Sequence, residues 1–369
     1  MNQDTPAAPA LRLHLTNVAG AGATQLLLSL LPAFERHENI RIAEIYLPGR
    51  GRMADYPALP GTVRPRPYRR FLPNALSRLL ECTVLARRFD GEVPLLVLGD
   101  LPLRCHAQQT VFVQTPHLAR PGRFCWSRDG IRFAVSRLVF RLNARYADAF
   151  IVQTSVMRDL LMASYPDIAD RVHVIAQPVP SWLLASPARR SGRRMLPGAR
   201  LRLIYPAALY PHKNHRLLAN LTHDRALSLP IERLRLTIPP VSHPAANITW
   251  IDCVGFLSAP EMIAAYTEAD AVLFLSTAES YGFPLVEAMF LGLPIVCPDL
   301  PYARTLCAEG AIYFDPSSID SLAEAIGLLQ KRLVAGWWPD WSAQLAGIPE
   351  NWASVASQMI NVALVAQAN

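Results

Sequence analysis

Two glutamates that bracket a turn are the residues of this sequence best suited to chemistry. Glu279 and Glu287 enclose the segment ESYGFPLVE, which contains Gly282 and Pro284. The glycine can bend the chain, and a proline is tolerated in the first turn of a helix. The apolar run AVLFLS before the turn predicts a buried strand, and LVEAMFLG after it predicts a helix. A helix start after a strand favours phosphate. Because carboxylates do not bind phosphate, we expect the two glutamates to hold hydroxyl groups of the same ligand.

A lysine lies at another turn between a strand and a helix. Lys213 stands in YPAALYPHKNH, and Lys331 is the only other lysine among the 36 Lys and Arg residues of the chain. Because arginine is the usual cation here, a lysine at this turn indicates a specific role, such as reaching a diphosphate as a point charge. A surface lysine near a helix start is the alternative interpretation.

A glycine-containing turn, NVAGAGATQ, follows the first predicted strand. Gly20 and Gly22 match the first two glycines of a dinucleotide fingerprint, but Gln25 occupies the place of the third. The next strand, RIAEIYLPGR, has Glu44 in its interior, whereas a ribose partner should stand at its end. A nicotinamide-dependent oxidoreductase is therefore a weak alternative, and we expect a diphosphate or an acceptor to approach this turn closely.

The elements that must position these residues alternate between strands and helices. This alternation predicts βαβ units and parallel sheets in both halves of the chain. Between the halves, PVPSWLLASPARRSGRRMLPGAR is rich in Pro, Ser, Gly and Arg and predicts a linker. We expect an α/β fold with two Rossmann-like, doubly wound parallel-sheet domains that face each other across a cleft. The predicted boundaries are 1–180 for the first domain, 181–199 for the linker, 200–348 for the second domain and 349–369 for a helix that packs back toward the first domain.

Composition narrows the class of protein. A chain of 369 residues fits two domains, and its six cysteines are scattered without a Cys-x-x-Cys pair, which indicates a reducing compartment. No run is apolar enough for a signal peptide or a membrane span. The net charge of +7 predicts either a solvated basic surface or one that faces anionic lipid or a diphosphate. No nucleic-acid reading motif is present, so we expect no nucleic-acid partner.

The second half carries a family resemblance. The segment VGFLSAPEMIAAYTEADAVLFLSTAESYGFPLVEAMFLGLPIVCPD resembles the GT-B glycosyltransferases of family 4, the glycosyl transferases group 1. The tail AIYFDPSSIDSLAEAI, the lysine turn YPHKN and the first-half segment ADAFIVQTSVMRDLL are also similar to that family's pattern. The resemblance is dense over about 201–329 and thinner over the first half.

The resemblance implies roles for particular residues. It implies that Glu279 contacts hydroxyls of a donor sugar, that Glu287 holds the nucleotide ribose and that Lys213 neutralises the leaving diphosphate. His117, in VFVQTPHLA, is our candidate for the family's first-domain histidine near the donor sugar, although a purely structural histidine is an equal alternative. The family retains the anomeric configuration without a metal, and this sequence has no Asp-x-Asp pair. Further donor-binding residues implied by the resemblance are Phe256, Ser280, Tyr281, Gly282, Phe283, Pro284 and Leu285.

One position departs from the family's pattern. The family usually carries an arginine five residues before its lysine, and Ala208 stands there instead. Arg304, in LPYARTL, follows the next predicted strand and is a candidate for the absent cation. A surface arginine without such a role is the alternative.

The acceptor is indicated only by segment 120–146, which is rich in arginine and aromatic residues. Two interpretations stay open, namely a helix at an anionic membrane interface and a helix buried on two sides with its arginines reaching solvent. As a helix, the segment places apolar residues at core spacing on one face and two phenylalanines between arginines on another, namely Ile131, Val135, Leu138 and Leu142 against Phe133 and Phe140.

The sequence thus predicts a retaining, metal-independent hexosyltransferase of mannose-like or rhamnose-like specificity. Its co-substrate is a nucleotide-diphosphate sugar, with no further cofactor, and its acceptor is a growing, lipid-linked surface glycan such as lipopolysaccharide, capsule or exopolysaccharide. We expect a cytoplasmic protein with peripheral contact at the inner membrane. A non-catalytic nucleotide-sugar-binding homologue and a nucleotide-sugar epimerase on the same fold are the alternatives.

Overall fold

The computed structural model divides the chain into two compact units. It describes residues 8–18, 20–49, 51–57, 64–68, 74–119, 128–190, 192 and 194–365. The first unit comprises Met1–Gln177 and Pro349–Asn369, and the second comprises Pro178–Ile348. Residues 120–127 of the segment 120–146 lie outside the described residues.

The first unit is built on a seven-stranded sheet in which every pairing is parallel. The strand order β3-β2-β1-β4-β5-β6-β7 is that of a doubly wound sheet. The strands are β1 Ala10–His14, β2 Arg41–Pro48, β3 Arg64–Tyr68, β4 Leu95–Val97, β5 Gln109–Phe112, β6 Ala149–Val152 and β7 Val172–Val174. The helices are α1 Ala21–Glu35, α2 Asn74–Cys82, α3 Pro116–Ala119, α4 Arg128–Asn143 and α5 Ser155–Ser164.

The second unit is built on a six-stranded sheet, also parallel throughout. Its order is β10-β9-β8-β11-β12-β13. The strands are β8 Leu201–Tyr205, β9 Ile231–Leu236, β10 Ile251–Cys253, β11 Ala271–Leu273, β12 Ile295–Pro298 and β13 Ile312–Phe314. The helices are α6 Ser181–Leu184, α7 His223–Ser228, α8 Ala259–Glu268, α9 Phe283–Leu291, α10 Pro301–Cys307, α11 Ile319–Val334 and α12 Ser342–Ala346.

The last helix, α13 Trp352–Val365, belongs to the first unit although it follows the second in sequence. It packs against α1, and Nε2 of His37, two residues after the end of α1, lies 3.1 Å from Oγ of Ser357 in α13. Farther along, Gln108 Nε2 donates to the carbonyl of Ala363 at 3.0 Å. The terminal segment is thereby fixed to the first sheet and its helices.

The stretch 181–199 differs from the linker that its composition indicated. It groups with the second unit, and the side chains of Leu183 and Met195 are buried in that unit's core. The backbone N–H of Arg190 donates to the carbonyl of Leu291 at 2.6 Å. A few apolar side chains among the prolines and arginines are enough to pack this stretch against its own unit.

Helix α4 presents the opposite face from the one that its apolar spacing predicted. Phe140 is fully buried, with its ring centroid 4.6 Å from that of Tyr165, whereas Leu138 and Leu142 are each 57% exposed. Apolar spacing indicated the wrong face because two positions of the buried face carry polar residues. Asn143 donates through Nδ2 to the carbonyls of Cys82 and Pro102 at 2.8 and 2.9 Å, and Ser136 is buried one turn before Val139. The prediction of Phe140 as an interfacial aromatic is wrong.

Candidate active site

The carboxyl edge of the second sheet gathers most of the predicted residues. In a parallel sheet all strands end at the same edge, and loops from this edge lead into the next helices. The loop between β11 and α9, which carries Glu279, is anchored at two points. Tyr302 Oη donates to the carbonyl of Ser276 at 2.5 Å, and the N–H of Thr277 donates to the carbonyl of His212 at 2.7 Å. The second bond ties this loop to the turn that carries Lys213.

Lys213 and Glu279 form an ion pair. Nζ of Lys213 lies 2.5 Å from Oε1 of Glu279, and the side chains are only 15% and 12% exposed. The same Nζ lies 5.8 Å from the ring centroid of Phe274. Lys213 ends a short 3-10 turn, after which Asn214 adopts a left-handed conformation with φ 56°. The structure therefore brings together two predicted site residues that are 66 positions apart in the sequence.

A buried tyrosine and a buried histidine lie next to the lysine turn, and the sequence analysis did not predict either. Tyr205 donates its hydroxyl to the carbonyl of Lys213 at 2.7 Å, and burial beside Glu279 raises its pKa well above the usual value. The ring of His215 lies 5.1 Å from that of Tyr205, and neither of its nitrogens has a hydrogen-bond partner among the described residues. Burial, together with the charge of Lys213, lowers the pKa of His215 to about 4, so this imidazole is neutral at pH 7.

The start of α9 has the geometry that ESYGFPLVE predicted. Gly282 precedes the helix with φ 91°, a left-handed conformation that favours glycine, and Pro284 lies in the first turn. The N–H of Leu285 bonds back to the carbonyl of Gly282 at 2.9 Å. The rings of Tyr281 and Phe283 meet edge to face, with centroids 5.1 Å apart. The positive end of this helix is thus directed to the same sheet edge as Lys213.

Glu287 lies in the second turn of α9 in a different environment from Glu279. Its carboxyl group is buried and accepts a hydrogen bond at Oε2 from Tyr266 Oη at 2.5 Å. Burial raises the pKa of Glu287 to about 7, and the hydrogen bond from Tyr266 opposes that rise. One glutamate of the motif is therefore neutralised by a cation, and the other is held by a neutral phenol in an apolar setting.

Two further predicted residues follow other strands at the same sheet edge, Phe256 in a loop and Arg304 in a helix. Phe256 follows Gly255 after β10 and is 71% exposed. Arg304, in α10, makes two bonds to the carboxylate of Asp299, at 2.7 and 2.8 Å, and its guanidinium lies 3.6 Å from the ring centroid of Tyr313. Asp299 thus engages two N–H groups of the Arg304 guanidinium, and the role of Arg304 as a substitute for the absent arginine stays a prediction.

The remaining predicted residues lie at the carboxyl edge of the first sheet. His117 is in α3, just after β5, and its ring centroid is 4.4 Å from that of Phe133. Gly20 precedes α1 and Gly22 lies in its first turn, and a Cβ added to either would meet no atom of the described residues within 4 Å. Among the residues that the structure describes, open space therefore lies beside both glycines.

Asp100 is a residue at this first edge that sequence reasoning missed. It has φ 70°, rare for a residue with a side chain, and accepts hydrogen bonds from the N–H groups of Gln114 and Thr115 at 2.6 and 3.0 Å. Burial raises its pKa, and these bonds oppose the rise. Asp100 fixes the loop that leads to His117. The only signal in the sequence is an aspartate directly after the apolar run PLLVLG.

Within the described residues, no group of three or more His, Cys, Asp or Glu side chains is arranged to hold a metal ion. In the same part of the chain, no helix combines the length and the apolar character needed to cross a membrane.

The fold defines the class of protein first. The chain is similar to sucrose-phosphate synthase from Thermosynechococcus elongatus, with a TM-score of 0.68 and 13% identity over 98% of this chain and 99% of that one. It is also similar to WaaG, a glycosyltransferase involved in lipopolysaccharide biosynthesis, with a TM-score of 0.63 and 11% identity over 96% of this chain and 99% of that one. This chain has the two-domain α/β GT-B fold, as predicted.

The sequence comparison then confirms the predicted resemblance. Residues 246–332 of the second unit match the family described as glycosyl transferases group 1. The placement of the chain in family 4 stays a prediction.

Its curated relatives include O-antigen chain mannosyltransferase B of Escherichia coli, 26% identical over 114 residues, which are 30% of this chain and 29% of that protein. O-antigen chain mannosyltransferase RfbU of Salmonella typhimurium strain LT2 is 22% identical over 63% of this chain and 66% of its own length. The aligned regions thus cover less than two thirds of either relative.

Proposed function

We propose that the protein is a retaining, metal-independent hexosyltransferase that moves a mannose-like sugar from a nucleotide diphosphate to a growing glycan of the lipopolysaccharide type. The observation that carries this proposal is the pairing of Lys213 with Glu279 at the sheet edge where α9 begins. The names of the two relatives support the sugar and the glycan, because both are O-antigen mannosyltransferases.

The proposed chemistry breaks the bond between the sugar's anomeric carbon and the diphosphate oxygen. The electron pair of that bond goes to the leaving oxygen, so negative charge develops on the diphosphate. A hydroxyl oxygen of the acceptor bonds to the anomeric carbon, and the hydroxyl proton passes to the leaving diphosphate. Lys213 and the first N–H groups of α9 stabilise this charge, because preorganised donors in a partly desolvated site need little rearrangement. Glu279 accepts hydrogen bonds from sugar hydroxyls, and Glu287 accepts them from the ribose. His117 is proposed to lie near the donor sugar.

A donor screen tests this proposal. We expect at least one nucleotide-diphosphate sugar, among GDP-, UDP- and dTDP-hexoses, to raise the melting temperature of the protein and to be consumed in the presence of a lipopolysaccharide-type acceptor. Binding without any transfer would favour the non-catalytic homologue, and interconversion of free donors without an acceptor would favour the epimerase. A panel with no binding at all would contradict the proposal.

Metal independence is tested by chelation. We expect transfer to continue at an unchanged rate in excess EDTA, because Lys213 and the start of α9 supply the positive charge that a metal ion would otherwise provide. The measurement is the initial transfer rate before and after dialysis against EDTA. Loss of activity with recovery on adding Mg²⁺ or Mn²⁺ would overturn this part of the mechanism.

We also propose that the protein contacts the inner membrane peripherally, through α2 and α4 and not through Phe140, which is buried. The two helices pack together, and Leu76 and Leu79 of α2 are exposed as well as Leu138 and Leu142 of α4. Arg132 and Arg141 are also exposed on α4, and Glu81 of α2 is buried. Exposed leucines beside arginines suit the boundary between acyl chains and anionic headgroups.

Vesicle sedimentation tests this contact. We expect the protein to bind phosphatidylglycerol vesicles and to bind phosphatidylcholine vesicles much more weakly. The double variant Leu138→Gln/Leu142→Gln should reduce binding about tenfold or more, because two exposed apolar contacts are lost. The matched control is Leu227→Gln, an equally exposed leucine on α7 of the second unit. Equal losses in both variants, or no loss in either, would contradict the assignment.

A further inference from the structure

The ion pair between Lys213 and Glu279 joins two groups that the proposed function assigns to different parts of the donor. Within the part of the chain that the structure describes, Glu279 is the carboxylate that contacts Lys213, at 2.5 Å. The proposed function needs the ammonium group for the diphosphate and the carboxylate for the sugar. The two groups therefore serve the donor only when their contact with each other is weakened.

Both partners can exchange contacts without moving their backbones. The carbonyl of Lys213 is held by Tyr205 Oη at 2.7 Å, and the loop before Glu279 is held to His212 at 2.7 Å. The ammonium group of lysine is carried by four methylene groups joined by rotatable bonds. Nζ can therefore move from the carboxylate to a phosphate while the backbone turn stays in place. The pair is thus a local switch of side chains on a fixed frame.

The interactions that Glu279 loses and gains differ between the bound sugar nucleotide and the bound nucleoside diphosphate. When the intact sugar nucleotide binds, the carboxylate gives up its cation but gains hydrogen bonds from sugar hydroxyls. After transfer, the sugar has left and the diphosphate remains on Lys213. Glu279 then has neither a cation nor hydroxyls, and a mostly buried carboxylate without partners is costly. Returning to Lys213 removes that cost and weakens the hold on the diphosphate.

We propose that Glu279 is a built-in competitor for Lys213 that promotes release of the nucleoside diphosphate after transfer. This inference rests on the proposed function, and it gives Glu279 a second role after its contact with the sugar. The same carboxylate would favour the intact donor over the spent nucleotide, because only the donor supplies a replacement for the lysine.

The test uses inorganic pyrophosphate as a base-free and sugar-free probe, with GDP and UDP in parallel. Glu279→Gln keeps the shape of the side chain and removes its charge, so Lys213 loses its competitor. We expect Glu279→Gln to bind pyrophosphate about tenfold more tightly than the parent by isothermal titration calorimetry, in line with the loss of a charged partner. The double variant Lys213→Ala/Glu279→Gln should lose this gain.

The matched control is Glu268→Gln. Glu268 accepts from Arg233 and Arg235 at 3.0 and 3.1 Å at the end of α8, and its replacement changes the net charge by the same amount. Pyrophosphate affinity should stay at the parent value in this control. An equal gain in both variants would show a general effect of charge and would overturn the competition.

The outcomes separate this inference from the proposed function. If the parent transfers sugar but a folded Glu279→Gln binds pyrophosphate no more tightly, the competition is wrong and the transferase stands. If the gain occurs and depends on Lys213, but no sugar nucleotide binds or reacts, the competition for phosphate stands and the transferase fails. Circular dichroism and the melting temperature of each variant confirm that the comparison is between folded proteins.

Discussion

The carboxyl edges of the two sheets are equipped differently. At the edge of the second sheet, ionisable groups are in contact with one another or with a phenol, Lys213 with Glu279 and Glu287 with Tyr266. At the edge of the first sheet, the ionisable group Asp100 only holds backbone N–H groups, and the turn with Gly20 and Gly22 has open space beside it among the described residues. Binding of a charged ligand at the edge of the second sheet depends on particular side chains. Close approach of a ligand at the glycine turn of the first sheet requires only that the side chains there be small.

This difference explains why the two units are unequally recognisable. The family match covers residues 246–332, which contain the β11–α9 loop and both glutamates of the second edge. The first edge depends on space and on a loop held by Asp100, and many sequences can satisfy such conditions. The predictions below test whether the charges of one edge and the space of the other carry function.

The largest effect is expected for Lys213→Ala. With Ala208 in the place of the family's arginine and Arg304 engaged by Asp299, the proposed function gives the lysine an enlarged share of the diphosphate charge. Removing one such donor costs about a hundred- to a thousandfold in turnover in other enzymes. We expect a loss of at least that order in the transfer rate, measured with saturating donor, while the circular dichroism spectrum stays that of the parent.

The control for this loss is Lys331→Ala, which removes the chain's other lysine from an exposed position on α11. It should leave the transfer rate unchanged. Ala208→Arg should leave activity unchanged or raise it if the site has kept room for that side chain. A folded Lys213→Ala protein that transfers sugar within a few-fold of the parent would show that the diphosphate is held elsewhere.

The second prediction distinguishes the two glutamates by ligand. Glu287→Ala should weaken binding of the bare nucleoside diphosphate and of the sugar nucleotide alike, because both contain the ribose. Glu279→Ala should weaken the sugar nucleotide strongly, whereas the bare diphosphate, which loses only its competitor for Lys213, should bind at least as tightly as it does to the parent. Each lost charged hydrogen bond is worth roughly 1.5–3 kcal/mol, which is about ten- to a hundredfold in affinity. Calorimetric titrations of both ligands measure this, and equal effects of both variants on both ligands would refute the division of roles.

Much of this edge could be predicted from the sequence, and the failures elsewhere have physical causes. The run AVLFLS predicted a strand and LVEAMFLG a helix after the turn, because apolar runs and a glycine-proline turn are local signals. Strand β3, with the sequence RPRPY, was not predicted, because prolines argue against a strand. They are tolerated here because β3 is an edge strand that pairs with β2 alone. The contact of Lys213 with Glu279 depends on the strand order β8-β11, which no local pattern contains.

The third prediction concerns stability and pH. Burial raises the pKa of Glu287 from 4.5 to about 7, so the folded chain holds this proton more tightly than the unfolded chain. The stability that this gives is complete below pH 4.5 and is lost as the pH rises through 7. Glu287→Gln cannot ionise and should therefore exceed the parent in stability above pH 8, by up to about 3 kcal/mol. At pH 4.5 the two proteins should be alike.

Urea unfolding of the parent and of Glu287→Gln at pH 4.5, 6 and 8 measures this difference. A gain that is the same at all three pH values would show that the carboxyl group is not the cause. Nucleotide binding should change in the opposite sense, because the ribose hydroxyls donate best to the ionised carboxylate. Affinity for the bare diphosphate should rise as the pH passes through 7 in the parent and should lose that dependence in Glu287→Gln.

The smallest effect on stability is expected at the first edge, for Gly20→Ala. The backbone there has φ −78° and ψ 143°, which any residue can adopt, and the added Cβ meets no described atom within 4 Å. The free energy of unfolding should stay the same or rise by about 0.5 kcal/mol, because alanine restricts the unfolded chain. Gly99→Ala is the contrasting control, since its Cβ would lie 2.7 Å from Cβ of Asn17 and should destabilise the protein. If a diphosphate or an acceptor approaches the turn closely, Gly20→Ala should lower the transfer rate despite its intact stability. An unchanged transfer rate would mean that the open space at this edge is not where the reactants lie.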